Sequence, residues 1–151
     1  MVLFDPDVPG ALKNNDFLEM DWMMDGKIDN AALRSRMQTF AASHADIAAA
    51  YLFGSAARGR MTSASDLDIA VVSFCSVNGF ERLSMETELS NHLGRDVDLV
   101  IFHQAGVLLQ HQILKYGYLI FEGDPGERIR QETFSRREYL DTRHLYKTFA
   151  V

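Results

Sequence analysis

Residues 47–72 read IAAAYLFGSAARGRMTSASDLDIAVV. Ile47 to Phe53 is an unbroken apolar run ending at Gly54, the pattern of a buried strand. Ser55 to Ser65 is small and polar, carries Arg58, Gly59 and Arg60, and reads as a short helical turn that continues as a loop. From Asp66 to Ser73, Leu67, Ile69 and Val71 alternate against Asp66, Asp68 and Ala70. Successive strand side chains point to opposite faces, so Asp66 and Asp68 leave from one face while Leu67 and Ile69 enter the core from the other.

The pattern extends outward from this pair of strands. Upstream, a helix is expected from Asn30 to about Ser43, with Asp29 as N-cap and Leu33, Met37, Phe40 and His44 on one face. Downstream, Gly79 to Leu93 carries Met85, Leu89 and Leu93 at helical spacing, with Gly94 as a natural C-cap. Val97 to Phe102 reads as a third strand and Gln104 to Tyr116 as a helix closed by Gly117. Tyr118 to Phe121 reads as a fourth strand, and a charged helix follows from about Glu127 to Thr148. The order implies an α/β (or α+β) domain with a small mixed sheet flanked by helices. Residues 1–28 are punctuated by Pro6, Pro9 and Gly10 and rich in acids, and are expected to be an irregular acidic segment ahead of a domain spanning 29–151.

Bulk properties narrow the function. The chain has 151 residues, 47% of them apolar, enough for one domain with a real core. A formal charge of −6 argues against a general nucleic-acid binder, which would show a basic surface. It leaves room for a nucleotide substrate, because cations bridge carboxylates to phosphates. The single cysteine, Cys75, allows no internal disulfide and is expected as a half-buried thiol at a strand end. No signal-peptide pattern and no apolar run of membrane-spanning length is present, so the cytoplasm is the expected setting.

The chemistry lies in the carboxylates. Asp66 and Asp68 side by side repel each other unless a cation sits between them, and carboxylate oxygens suit magnesium or manganese. Asp96-Val97-Asp98-Leu99 repeats the pattern on the next strand. If the two strands are neighbours, one of its acids completes a three-carboxylate cluster able to hold two metal ions. Asp98, flanked by Val97, Leu99 and Val100, is the better candidate, and Asp96 reads as a strand-start or turn residue. Gly54 allows close phosphate approach to the backbone, Ser55 adds a hydroxyl donor, and Arg58 or Arg60 can balance phosphate charge. His92, His103 and His111 have no Cys or Glu around them at metal spacing and read as helix-surface or core-edge residues.

The stretches Gly54-Ser55-Ala56-Ala57-Arg58-Gly59, Ser65-Asp66-Leu67-Asp68-Ile69 and Asp96-Val97-Asp98-Leu99-Val100 closely resemble the minimal nucleotidyltransferase (MNT) family, the small branch of the DNA polymerase beta-like superfamily. Its signature is G-S-x10-D-x-D plus a later acid, and the resemblance covers roughly residues 30–145. It implies transfer of a nucleoside monophosphate from a triphosphate, with Asp66, Asp68 and Asp98 as metal ligands and catalytic residues. Asp98 would also assist deprotonation of the acceptor, while Gly54 and Ser55 hold the triphosphate of ATP; Arg58, on its guanidinium chemistry, is the candidate to balance the phosphate charge. It implies two magnesium ions, with manganese possible. Stand-alone bacterial members commonly act as antitoxins beside an all-helical HEPN toxin, an RNase, and transfer AMP to one of its tyrosines. The resemblance therefore implies a HEPN-family RNase toxin as partner and acceptor, held in a hetero-oligomer, and no direct contact with nucleic acid or membrane.

Two other functions compete. One is a small-molecule nucleotidyltransferase of aminoglycoside type, although little chain is left over to form an acceptor domain. The other is an antitoxin that acts by binding alone, which intact carboxylates argue against. Arg137 and His144 enclose six residues, the spacing of the partner toxin's own motif, and read more simply as part of a solvated helix face.

Overall fold

The computed structural model describes residues 23–24, 27–62 and 64–149. The strands among the described residues are β1 (Met23–Met24), β2 (Lys27–Ile28), β3 (Ile47–Phe53), β4 (Leu67–Ser73), β5 (Val97–Ile101) and β6 (Tyr118–Glu122). The helices are α1 (Asn30–Ala42), α2 (Gly54–Ala57), α3 (Gly79–Leu93), α4 (Val107–Tyr116) and α5 (Pro125–Phe149). A 3-10 turn covers Phe102–Gln104. β1 and β2 pair with each other, and the main sheet has the order β5-β4-β3-β6. β4 and β5 run parallel, while β3 is antiparallel to both β4 and β6. The sheet is therefore mixed and flanked by helices, as the sequence pattern implies.

Local chemistry sets the element ends. The Asp29 side chain accepts hydrogen bonds from the amides of Ala31 and Ala32 and caps α1. Asn78 and Glu81 form a reciprocal capping box on α3, which ends at Gly94 in the left-handed conformation, φ 67°. Gly117 closes α4 for a different reason. Its φ is ordinary, but a Cβ there would lie 2.5 Å from the Ile113 carbonyl oxygen and 3.0 Å from that of Leu52, so only glycine lets α4 meet β3.

Both sheet faces are covered. Leu67, Ile69, Val71, Val97, Leu99 and Ile101 share one core with Leu33, Met37 and Phe40 of α1 and Leu89 and Leu93 of α3. Ala70, Val72 and Tyr51 face the other way, onto Phe102 and Ile113. There α5 is tied down by polar contacts: the Tyr51 hydroxyl donates to Glu132, and the Gln131 amide donates to the Ser73 carbonyl at 2.9 Å. Burial and the Glu132 carboxylate hold the Tyr51 hydroxyl far above its ordinary pKa, so it remains a donor. With both faces covered, β3 and β4 carry apolar residues in both registers, which is why residues 47–53 read as continuous rather than alternating.

The structure departs from the sequence pattern in several places. Phe102 leaves β5 to start the 3-10 turn, so α4 begins at Val107 rather than Gln104. Its amide Gln110 anchors that turn by donating to the carbonyls of Phe102 and Ala105. Cys75 is exposed rather than half-buried, because β4 ends at Ser73 and the chain turns outward beyond it. Of residues 1–28, most lie outside the described residues, and the described part forms the β1–β2 pair, with Ile28 packed on the core. No helix among the described residues is long and apolar enough to cross a membrane.

Candidate active site

The parallel register of β4 and β5 sets Leu67 opposite Val97, Asp68 opposite Asp98 and Ile69 opposite Leu99. The apolar members of these pairs enter the α1–α3 core, so Asp68 and Asp98 emerge together on the face that carries α4 and α5. Each is the second residue of its strand, and Asp66 immediately precedes β4. The three carboxylates thus share the amino-terminal ends of two neighbouring parallel strands. Asp96 lies just outside β5, where its carbonyl accepts the Leu67 amide at 2.9 Å.

Asp68 is half-buried, whereas Asp66 and Asp98 are exposed. Burial first, then the charges of Asp98 and Asp66, push the Asp68 carboxyl above its ordinary pKa. Asp98 and Asp66 therefore stand close enough for their charges to act on Asp68. Among the described residues no three Asp, Glu, His or Cys side chains are drawn into a cation cage. The acids are neighbours at the adjoining ends of β4 and β5.

Gly54 joins this ledge to the turn that follows β3. Phe53 pairs with Asp68 across β3 and β4, and the chain then turns at Gly54 with φ +69°. A Cβ at Gly54 would lie 2.1 Å from Asp68 Oδ2. The position therefore requires glycine for its backbone angle and again for its contact. Arg58 caps α2 with its amide on the carbonyls of Gly54 and Ser55, and the Arg60 amide returns to Ser55 at 2.9 Å. A cavity of about 330 Å³ opens beside the turn, between Gly54, Ser55, Arg58 and Arg60 and the α4 residues Leu109, Gln112 and Tyr116. The Arg58 guanidinium lies over the Tyr116 ring, 4.9 Å from its centroid.

The supporting residues are ones the sequence reading did not single out. β5 is an edge strand, and α3 covers its open side. Ser90 Oγ accepts the Val97 amide at 3.0 Å, Glu86 Oε2 accepts the Leu99 amide at 2.8 Å, and Arg82 donates to the Leu99 carbonyl at 3.1 Å. These bonds bracket Asp98 and also close an edge that would otherwise pair with another chain. Arg95 donates to the carbonyls of Thr62 and Ser65, pinning the loop that delivers Asp66. The i, i+4 spacing of Arg82, Glu86 and Ser90 was visible as a polar stripe, but a stripe does not announce a sheet edge beneath it.

The histidines stand apart from the ledge. His92 Nε2 lies 2.9 Å from the Arg36 carbonyl, and His111 stacks on Tyr139 between α4 and α5. Arg137 and His144 are both exposed on α5.

Comparison with known proteins agrees with this geometry. Over 67 residues the chain is 36% identical to the protein adenylyltransferase MntA of Shewanella oneidensis, a match covering 44% of this chain and 48% of the relative. The chain thus spans about half the length of that curated relative in the match. A solved toxin–antitoxin structure with AMP-PNP superposes with a TM-score of 0.63 at 20% identity, covering 78% of this chain and 98% of that one. A structure of the tri-AMPylated Shewanella oneidensis HEPN toxin in complex with its MNT antitoxin gives 0.58 at 19% identity, covering 81% and 99%. At these identities the structural likeness speaks for the fold alone. The polymerase beta nucleotidyltransferase model matches residues 36–126, which takes in the glycine turn and all three carboxylates. The chain therefore belongs to the polymerase beta nucleotidyltransferase family.

Proposed function

We propose that this chain is a protein adenylyltransferase that moves AMP from ATP to a tyrosine of a HEPN-family RNase toxin and so neutralises it, as an antitoxin in the cytoplasm. The observation that carries the reading is the contact of Gly54 with Asp68, which makes the glycine turn and the carboxylate ledge two sides of one site. The AMP-PNP complex and the AMPylated toxin among the structural relatives support the choice of donor and acceptor.

The ledge fits a hard divalent cation. Its donors are carboxylate oxygens, with Asp68 half-buried and Asp98 beside it on the neighbouring strand. Asp66, Asp68 and Asp98 would hold the metal, two magnesium ions or manganese in their place. When bound, the metal neutralises phosphate charge and lowers the pKa of the attacking hydroxyl. Gly54 and Ser55 receive the triphosphate, and Arg58 balances its charge. Asp98, exposed on the ledge, would meet the acceptor hydroxyl and assist removal of its proton. The tyrosine oxygen bonds to the α-phosphorus, the bond to the β-phosphate oxygen breaks, and pyrophosphate leaves.

The test is magnesium-dependent labelling of the purified toxin by ATP carrying a labelled α-phosphate. Asp66→Ala and Asp68→Ala are expected to abolish labelling, as is a chelator. Normal labelling by both variants would overturn the assignment.

A further inference from the structure

We infer that Tyr116 is a positioning residue for the phosphate tail of the nucleotide, acting through Arg58. This rests on the nucleotidyl-transfer reading above. The cavity beside the Gly54–Ser55 turn measures about 330 Å³, within the range of small-molecule sites. Arg58 and Arg60 stand on one wall and Gln112 and Tyr116 on the other.

Its charge is uncompensated. Arg82, Arg128, Arg130 and Arg136 all form ion pairs with glutamates. Arg58 and Arg60 form none among the described residues. Outside the cavity lining, Lys115 Nζ lies 5.1 Å from the Tyr116 ring centroid. A chain with net charge −6 that gathers unpaired cations at one cavity suits a multiply charged oxyanion there, not a neutral base. Gly54 touches the carboxylate ledge on one side and lines the cavity on the other. With the α-phosphate at the carboxylates, the β- and γ-phosphates extend past Gly54 into the cavity.

Tyr116 supplies the rigidity. Its backbone is fixed because Gly117 abuts the Leu52 carbonyl, close to the start of the glycine turn. Its ring lies under the Arg58 guanidinium at 4.9 Å, where the aromatic face attracts the cation and restricts its rotamers. A fixed guanidinium loses less freedom when phosphate arrives. The contact is to the ring, so the hydroxyl is dispensable.

The experiment compares wild type, Tyr116→Ala, Tyr116→Phe and Arg60→Ala in two assays. One is steady-state transfer from ATP to the toxin, with inhibition by inorganic pyrophosphate. The other is calorimetric titration of the free protein with pyrophosphate, which needs no transfer. Tyr116→Ala is expected to raise the KM for ATP and weaken pyrophosphate binding by the same factor, about two- to fivefold, with kcat changed much less. Arg60→Ala should weaken pyrophosphate binding at least as much, and Tyr116→Phe should restore what Tyr116→Ala loses. Unchanged pyrophosphate binding in Tyr116→Ala overturns the inference, as does an altered preference between ATP and GTP, which would place the base in this cavity. Tyr116-dependent pyrophosphate binding without transfer to any acceptor would instead refute the adenylyltransferase reading and leave the site standing.

Discussion

Gly54→Ala puts the join between turn and ledge to the test. Two costs are separable. The first is backbone strain: φ is +69°, and an L-residue in that region costs about 1–2 kcal/mol. The second is contact. The new Cβ would lie 2.1 Å from Asp68 Oδ2, and ordinary contact begins near 3.4 Å, so the carboxylate or the turn must move by about 1.3 Å. A displacement of that size at a reacting centre costs on the order of 10²-fold in rate. Gly94→Ala separates the two effects, since it has φ +67° and nothing within 4 Å of the added methyl. Gly94→Ala should lose about 1–2 kcal/mol, seen as a fall of a few degrees in Tm, and Gly54→Ala at least as much. Only Gly54→Ala should lose transfer, measured as the initial rate of toxin labelling at saturating ATP. If Gly54→Ala labels within twofold of Gly94→Ala, the glycine turn and Asp68 do not act as one site.

Three further outcomes follow from the same geometry. Asp98→Asn removes one of the charges pressing on Asp68, so with chelator present it should stabilise the protein slightly, by less than about 1 kcal/mol, while lowering transfer about 10²-fold or more. A lower Tm in chelator would contradict the repulsion argument. Glu86→Ala strips the Leu99 amide of its acceptor and should cost about 1–2 kcal/mol and slow transfer by loosening Asp98, whereas Glu88→Ala, on the surface pair with His44, should do neither. Urea midpoints and labelling rates of the two variants decide it. Hydrogen bonds from Arg130 and then Gln131 hold the Glu127 carboxyl at about 2, below its ordinary 4.5. Its folded pKa is depressed, so its contribution is present above pH 4.5 and lost as pH falls from 4.5 towards 2. Glu127→Gln should therefore flatten stability against pH across that window, and an unchanged acid limb would refute the assignment.

The residues of the candidate site were legible because their signals are local. Alternation along Asp66-Leu67-Asp68-Ile69 fixes which side chains share a face, since inverting them would expose Leu67 and Ile69. The same reasoning picks out Asp98 between Val97 and Leu99, and a glycine after an apolar run marks the turn. What could not be read locally is which strands are neighbours and in what register. A parallel pair needs a crossover, here α3, and the Asp68–Asp98 alignment is set by how Leu89 and Leu93 pack against Leu67, Val97 and Leu99. The contact of Gly54 with Asp68, the bracketing of Asp98 by Glu86 and Ser90, and the stacking of Arg58 on Tyr116 all join residues from separate elements. Sequence periodicity thus determined the carboxylates and the faces they leave from. Only the packed structure decided that they meet one another, and what they meet, because those distances are settled by long-range contacts that no local pattern encodes.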